Sequence, residues 1–220
     1  MLTRTRLAIL AAMAWSGWYV TLDAQEAREP SADDAIRFDG IQVEVGAITS
    51  GRLKGATQVG LRVDLGRFAP KVRVLAGVSY FRSDFKASEI QEFVTALARV
   101  VDDPEGNFTI DLGRVRWGDV ALDLDFQYLP GTWGGGRWQP YLGLGASVHF
   151  RNGSGTAIDG TFVEDALDNI SAGVNITAGW DIALARGLIV NVGGRAVLAS
   201  DLRTLGLQVG LGYRVPRSSP

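Results

Sequence analysis

Across residues 169–184 apolar and polar side chains alternate without a break. Ile170, Ala172, Val174, Ile176, Ala178, Trp180, Ile182 and Leu184 stand against Asn169, Ser171, Gly173, Asn175, Thr177, Gly179 and Asp181. Successive side chains of a strand point to opposite faces, whereas a helix would scatter this pattern around its circumference. The segment is therefore a β-strand with one apolar face and one polar, glycine-rich face.

The same period recurs along the chain. It marks 38–48, then 56–68, where Thr57, Val59, Leu61, Val63 and Leu65 oppose Gln58, Gly60, Arg62, Asp64 and Gly66. A turn through Phe68, Ala69, Pro70 and Lys71 leads into a third segment with Val72, Val74, Ala76, Val78 and Tyr80 on its apolar face. After an insertion, 119–129 opposes Val120, Leu122, Leu124, Phe126 and Tyr128 to Ala121, Asp123, Asp125 and Gln127. The connection PGTWGGGR is turn-rich, and the pattern resumes at Trp138, with Leu142, Leu144, Ala146, Val148 and Phe150 on its apolar face. Segments 188–199 and 204–215 complete eight antiparallel strands, an all-β meander. The strand after the insertion could begin as early as Phe108, with Arg114 and Arg116 interrupting its apolar face.

The chain has 220 residues, 28 glycines, 46% hydrophobic residues and a formal charge of −2. That is enough to bury a core, and it offers no basic field for nucleic acid. The absence of cysteine removes disulfides, thiolate metal sites and thiol chemistry. Residues 1–24 read as a secretory leader, with Arg4 and Arg6 ahead of a short apolar run from Leu7 to Trp15 and cleavage expected after Ala24, where Leu22 holds the minus-three position. An uncleaved anchor extended through Val20 is the other reading of this segment. Residues 25–37 read as a polar linker, 38–215 as the barrel and 216–220 as a tail.

A soluble barrel turns its apolar face inward, and period alone cannot say which face that is. The export signal, the even strand count and the aromatics at strand ends favour a membrane barrel. Phe68, Tyr128, Trp138 and Tyr213 cluster at one end, with Tyr80 and Phe150 toward the other. Long connections over 82–107 and 152–167 would lie on the outer side, although PGTWGGGR is long for an inner turn and 200–203 is short for an outer loop. The expected fold is an eight-stranded antiparallel up-and-down transmembrane β-barrel with one short helix in an outer loop.

On PYLGLGASVHF and GLQVGLGYRV the chain resembles the small eight-stranded outer-membrane barrels of the OmpA/OmpX type, in pattern more than in identity. The resemblance implies an outer-membrane location and a C-terminal signal read by the barrel-assembly machinery. Gln208, Gly210, Tyr213 and Val215 match the spacing of that signal, with Val215 where the family ends on an aromatic and the tail PRSSP beyond it.

Alternation places Glu44, Arg62, Asp64, Arg73, Asp111, Asp123, Asp125, Asp181, Arg195 and Arg214 on the inward face, among Gln127, Asn175, Asn191 and Gln208. Buried charges persist when paired and hydrogen-bonded, so a salt-bridge plug is the expectation, with a transport pathway as the alternative. Ser147 and His149 share the inward face and invite a lipid-hydrolase reading, for which the sequence identifies neither an orienting acid nor oxyanion donors. No catalytic centre, metal site or cofactor is expected.

Residues 87–101 read as an amphipathic helix, with a capping-box spacing at Ser88 and Gln91 and Ile90, Phe93, Val94, Leu97 and Val101 on one face. It would pack over the barrel mouth, or present a surface to a partner or to the membrane surface. Arg114 and Arg116 cannot sit in lipid and would stand at the outer rim, as solvated charges or in contact with lipopolysaccharide phosphates. The leading function is a structural or surface-interaction barrel with a plugged polar interior. A narrow channel or small hydrophobic-ligand carrier is the alternative, and a lipid-modifying enzyme comes third.

Overall fold

A computed structural model describes residues 36–100, 113–155, 160, 167–185 and 187–215. The leader, most of the linker, Asp111 and Val101 lie outside these residues, as does the tail after Val215. The strands are β1 (Ile36–Ser50), β2 (Ala56–Ala69), β3 (Val72–Asp84), β4 (Arg116–Tyr128), β5 (Trp138–Ser154), β6 (Asn169–Ala185), β7 (Leu188–Ala199) and β8 (Arg203–Arg214), with α1 (Ala87–Val100) between β3 and β4. Each strand pairs antiparallel with the next. β1 meets β8 from Gly40↔Arg214 to Ser50↔Thr204 and closes the barrel.

Three strands run beyond the lengths their alternation implies. β1 begins at Ile36, β3 reaches Asp84 and β5 reaches Ser154. β4 starts at Arg116 rather than Phe108, because 113–115 are not strand and Gly113 takes a left-handed φ of 57° that a pleated strand does not accommodate. Val215 lies just past β8, with its amide bonded to Asp39 O at 2.8 Å. The connection 129–137, Gly187 ahead of β7 and the β2–β3 turn share one end, the turn end, with the start of β1 and the end of β8. The opposite end, the loop end, carries 51–55, α1, Leu167 and Asp168 ahead of β6, and 200–202.

The alternation is realised as an apolar wall facing outward. Leu144, Val174, Ile176, Leu207 and Leu211 are exposed, while Ser147, Asn175 and Thr177 in the opposite phase are buried. This is the inverse of a soluble barrel, and a transmembrane barrel in lipid is its physical solution. Phe68, Tyr128, Trp138 and Tyr213 stand exposed around the turn end, with Tyr80 and Phe150 toward the other.

The conventional hydrophobic core is small and sits at the loop end. Ile48, Leu53, Phe81, Phe85, Val115, Trp117 and Leu202 form one buried cluster, against which Ala56, Ile90, Val94 and Leu167 pack. α1 thus covers the mouth through Ile90 and Val94, whereas Phe93 is exposed at 41%. The capping box does not form as expected. The helix starts at Ala87, so Ser88 lies within its first turn, and Lys86 fixes the entry instead. Lys86 N donates to Arg52 O at 3.0 Å, and its Nζ donates to Ser50 O and Gly51 O, each at 2.8 Å.

Candidate functional site

The lumen is filled by three tiers of ions. The middle tier comes from β1, β2, β4 and β7. Arg62 Nε donates to Glu44 at 2.6 Å, and its Nη1 reaches Asp123 at 2.6 Å and Asp125 at 3.0 Å. Arg195 closes on the same two aspartates, at 3.3 Å from Asp123 and in direct contact with Asp125. Gln42 and Gln208 donate to the remaining Glu44 oxygen at 2.7 and 3.4 Å.

Glycine makes this crossing possible. A Cβ on Gly77 would stand 2.9 Å from Asp123 Oδ1 and 3.1 Å from Arg62 Nη1, which would push apart the pair that spans the lumen. The small polar face of the alternation is therefore space reserved for long charged chains from other strands.

Nearer the turn end, Arg73 reaches Asp181 at 2.5 Å, Gln127 at 2.8 Å and Asp64 at 3.7 Å, while Arg214 meets Asp181 at 3.0 Å. Arg73 also lies 5.5 Å from the centre of the Tyr141 ring, whose hydroxyl accepts from Asn191 Nδ2 at 3.1 Å. Nine of the ten inward charges expected from the sequence are therefore assembled here. The tenth, Asp111, is outside the described residues.

Alternation read only as far as Phe150 misses the loop-end tier. Asp119 accepts from Arg151 Nε at 2.7 Å and stands 3.0 Å from His149 Nδ1. Arg151 also donates to Ser171 at 2.9 Å and contacts Asp201 in the β7–β8 connection. Its guanidinium lies 5.1 Å from the Trp117 ring centre, and Trp117 in turn packs on Phe85 with ring centroids 5.3 Å apart. Asp119 opens the 119–129 segment in inward phase and Arg151 follows Phe150 in the same phase, so counting the first residue of that segment and extending β5 would have found them.

Ser147, His149 and Asp119 form a row with the order of a hydrolase triad, with Ser147 Oγ 2.9 Å from His149 Nε2. The acid that the sequence reading lacked is Asp119. All three side chains are buried, and the adjoining cavity is about 20 Å³, which leaves no room for a lipid ester. Ser147 also donates to Asn175 Oδ1 at 2.9 Å, so the row is tied into the plug.

At the loop-end rim Asp84 gathers three cations: Arg116 at 3.3 Å, Arg114 at 3.7 Å and Lys54 at 3.7 Å. Arg114 and Arg116 are exposed, as expected of rim residues. At the turn end a vestibule of about 520 Å³ opens beneath the inner tier, with Arg67, Arg73, Arg137 and Arg214 on its walls beside Asp39 and Asp64.

No protein-family model matches the chain, and no curated protein matches it in sequence. Solved structures of similar architecture include OprG from Pseudomonas aeruginosa, at 17% identity and a TM-score of 0.49, covering 84% of this chain and 99% of that one. Neisserial surface protein A aligns at 12% identity and a TM-score of 0.48, covering 80% and 96%. Ail, the attachment invasion locus protein of Yersinia pestis, in complex with the heparin analogue sucrose octasulfate, aligns at 11% identity and a TM-score of 0.46, covering 80% and 96%.

Proposed function

We propose that this protein is an outer-membrane barrel with a structural or surface-interaction role, exported by its leader and closed to solute flow by its own lumen. The observation that carries this reading is the ionic plug. Arg62, Arg73, Arg151 and Arg195 are buried and each is bound to carboxylates from other strands, so the interior is a packed core and not a pore. Above it the apolar cluster around Trp117 and Leu53 seals the loop end. A channel reading would need both layers to part.

Specificity then rests with what the loop end presents: α1 with its exposed Phe93, and the rim where Arg114, Arg116 and Lys54 share one carboxylate. Three cations on a single Asp84 leave positive charge available to lipopolysaccharide phosphates, and α1 offers a surface for a protein partner. Insertion would use the barrel-assembly machinery through Gln208, Gly210, Tyr213 and Val215. A catalytic role for Ser147 and His149 is disfavoured by their burial.

Purified barrel in planar bilayers tests the closed lumen, and cell fractionation with heat-modifiable gel migration tests the location. Sustained conductance of the unmodified protein would promote the channel alternative. Recovery of the folded barrel in a soluble fraction would remove the membrane reading.

A further inference from the structure

The barrel is a cup. Its loop end is sealed by apolar side chains, and its turn end opens on the vestibule of about 520 Å³, a volume suited to a small molecule. The vestibule walls carry four arginines against Asp39 and Asp64, so positive charge is in excess.

The charges at its floor are already committed. Arg73 and Arg214 both bind Asp181, and Gly66 N donates to Asp64 at 2.9 Å. Arg67 and Arg137 are different. Arg67 donates to the carbonyl of Pro70 at 3.1 Å, and neither guanidinium has a carboxylate partner among the described residues. Among the described residues every other cation of the lumen is held by an acid, which makes two unspent guanidiniums at one concave opening the exception.

We propose that the turn-end vestibule is a binding site for a small anion bearing two or more phosphate or carboxylate groups, with Arg67 and Arg137 supplying the uncommitted charge. Guanidinium forks pair with such groups in bidentate geometry, and the low-dielectric wall around the mouth strengthens that attraction. Arg214, about a third exposed, is the third group within the same concavity. The ion tier behind it stops the ligand from passing further, so the site captures and does not conduct. This inference rests on the cup and its charges and is independent of what the loop end binds.

Inorganic pyrophosphate is the probe, titrated calorimetrically into the full chain refolded in zwitterionic detergent. Saturable binding is expected, and Arg67→Gln with Arg137→Gln should weaken it by about tenfold or more. The rim variant Arg114→Gln with Arg116→Gln should bind as the unmodified protein does. Heat-modifiable migration confirms that each variant is folded. Absence of saturable binding, or equal binding by the Arg67/Arg137 variant, overturns the proposal. Repeating the titration in nanodiscs with and without cardiolipin, whose headgroup carries two phosphates, assigns the source of the anion. Competition identifies a lipid headgroup and unchanged binding identifies a soluble ligand, and both outcomes support the site.

Discussion

Ser147 donates its single hydroxyl proton to Asn175 Oδ1 at 2.9 Å, and Asn175 is held in that orientation because its amide nitrogen donates to Asp125 at 3.2 Å. Turning the amide over would set its oxygen against the Asp125 carboxylate. His149 Nε2 lies 2.9 Å from that hydroxyl, and its Nδ1 faces Asp119 at 3.0 Å. The serine proton is therefore engaged by Asn175 and not offered to the histidine, so the serine is not poised as a nucleophile. A fluorophosphonate probe should leave Ser147 of the folded barrel unlabelled. Labelling that is lost in His149→Ala would revive the triad reading, in which Ser147→Ala and His149→Ala would abolish a lipid-hydrolase activity.

The wall and the lumen should respond oppositely to the same substitution. Val174 faces outward and Asn175, its neighbour, is fully buried within the plug. Val174→Arg should destabilise the barrel by about 2 to 4 kcal/mol in lipid, and by much less in a loose detergent micelle. Asn175→Arg should fail in both, by crowding Asp125 and Ser147. Refolding titrations in the two media measure the difference, and a harmless Arg at Val174 in lipid would show that this face does not meet the bilayer.

Removing a guanidinium should be worse than removing an acid in the middle tier. Two arginines there serve Glu44, Asp123 and Asp125, and the second oxygen of Asp123 has no hydrogen-bond partner. Arg195→Ala leaves buried carboxylates short of a counter-charge and should cost about 3 to 5 kcal/mol. Asp123→Asn should cost distinctly less. Urea unfolding of the two variants, scored by gel migration, gives the order, and the reverse order would show that the tier is not short of positive charge.

Acid should loosen the loop end before the wall. Partial burial alone would push the Asp201 carboxyl up, but hydrogen bonds from Arg151 and Asn169 and the Arg151 charge hold it down at about 2. A carboxyl depressed in the folded state contributes stability above its ordinary value, 3.8, and that contribution fades as pH falls from there toward about 2. Tryptophan fluorescence reporting on Trp117 should shift within that window in the unmodified protein. In Asp201→Asn the shift should be absent, and an identical acid transition in both proteins would remove Asp201 from the account.

Small sugars should not pass. Liposomes carrying the barrel are expected to show little swelling, and Phe85→Ala with Trp117→Ala, which thins the apolar seal, should leave them tight because the ion tiers remain. Rapid swelling by the seal variant would mean that the cap, and not the plug, closes the lumen.

Period-two alternation was legible because it is a local property of each strand, and it was sufficient to place Glu44, Arg62, Arg73 and Asp125 in the lumen. It could not pair them. Which arginine meets which aspartate depends on registers such as Gly77↔Asp123 and Thr177↔Arg195, set by closure of the whole sheet. Strand ends were less legible, since Arg116 and Asp84 break the apolar rhythm and Arg151 stands past its last apolar position, so all three look like loop residues until cross-strand partners accept them. The seal was missed for a related reason. Ile48, Phe81 and Trp117 are apolar residues in inward phase, which look like errors of period until the ends of three strands are seen to converge.

The ions that cross the lumen also act as tie-rods. Arg62 of β2 holds β1 and β4, and Arg195 of β7 holds β4 from the far side, so opposite staves of the cylinder are braced across its diameter. Splitting any seam, including the one where β1 meets β8, would tear charges from their partners inside an apolar medium. A cylinder braced in this way cannot unzip sideways to pass a lipid or a peptide between two strands, so whatever it recognises must be met at its two ends.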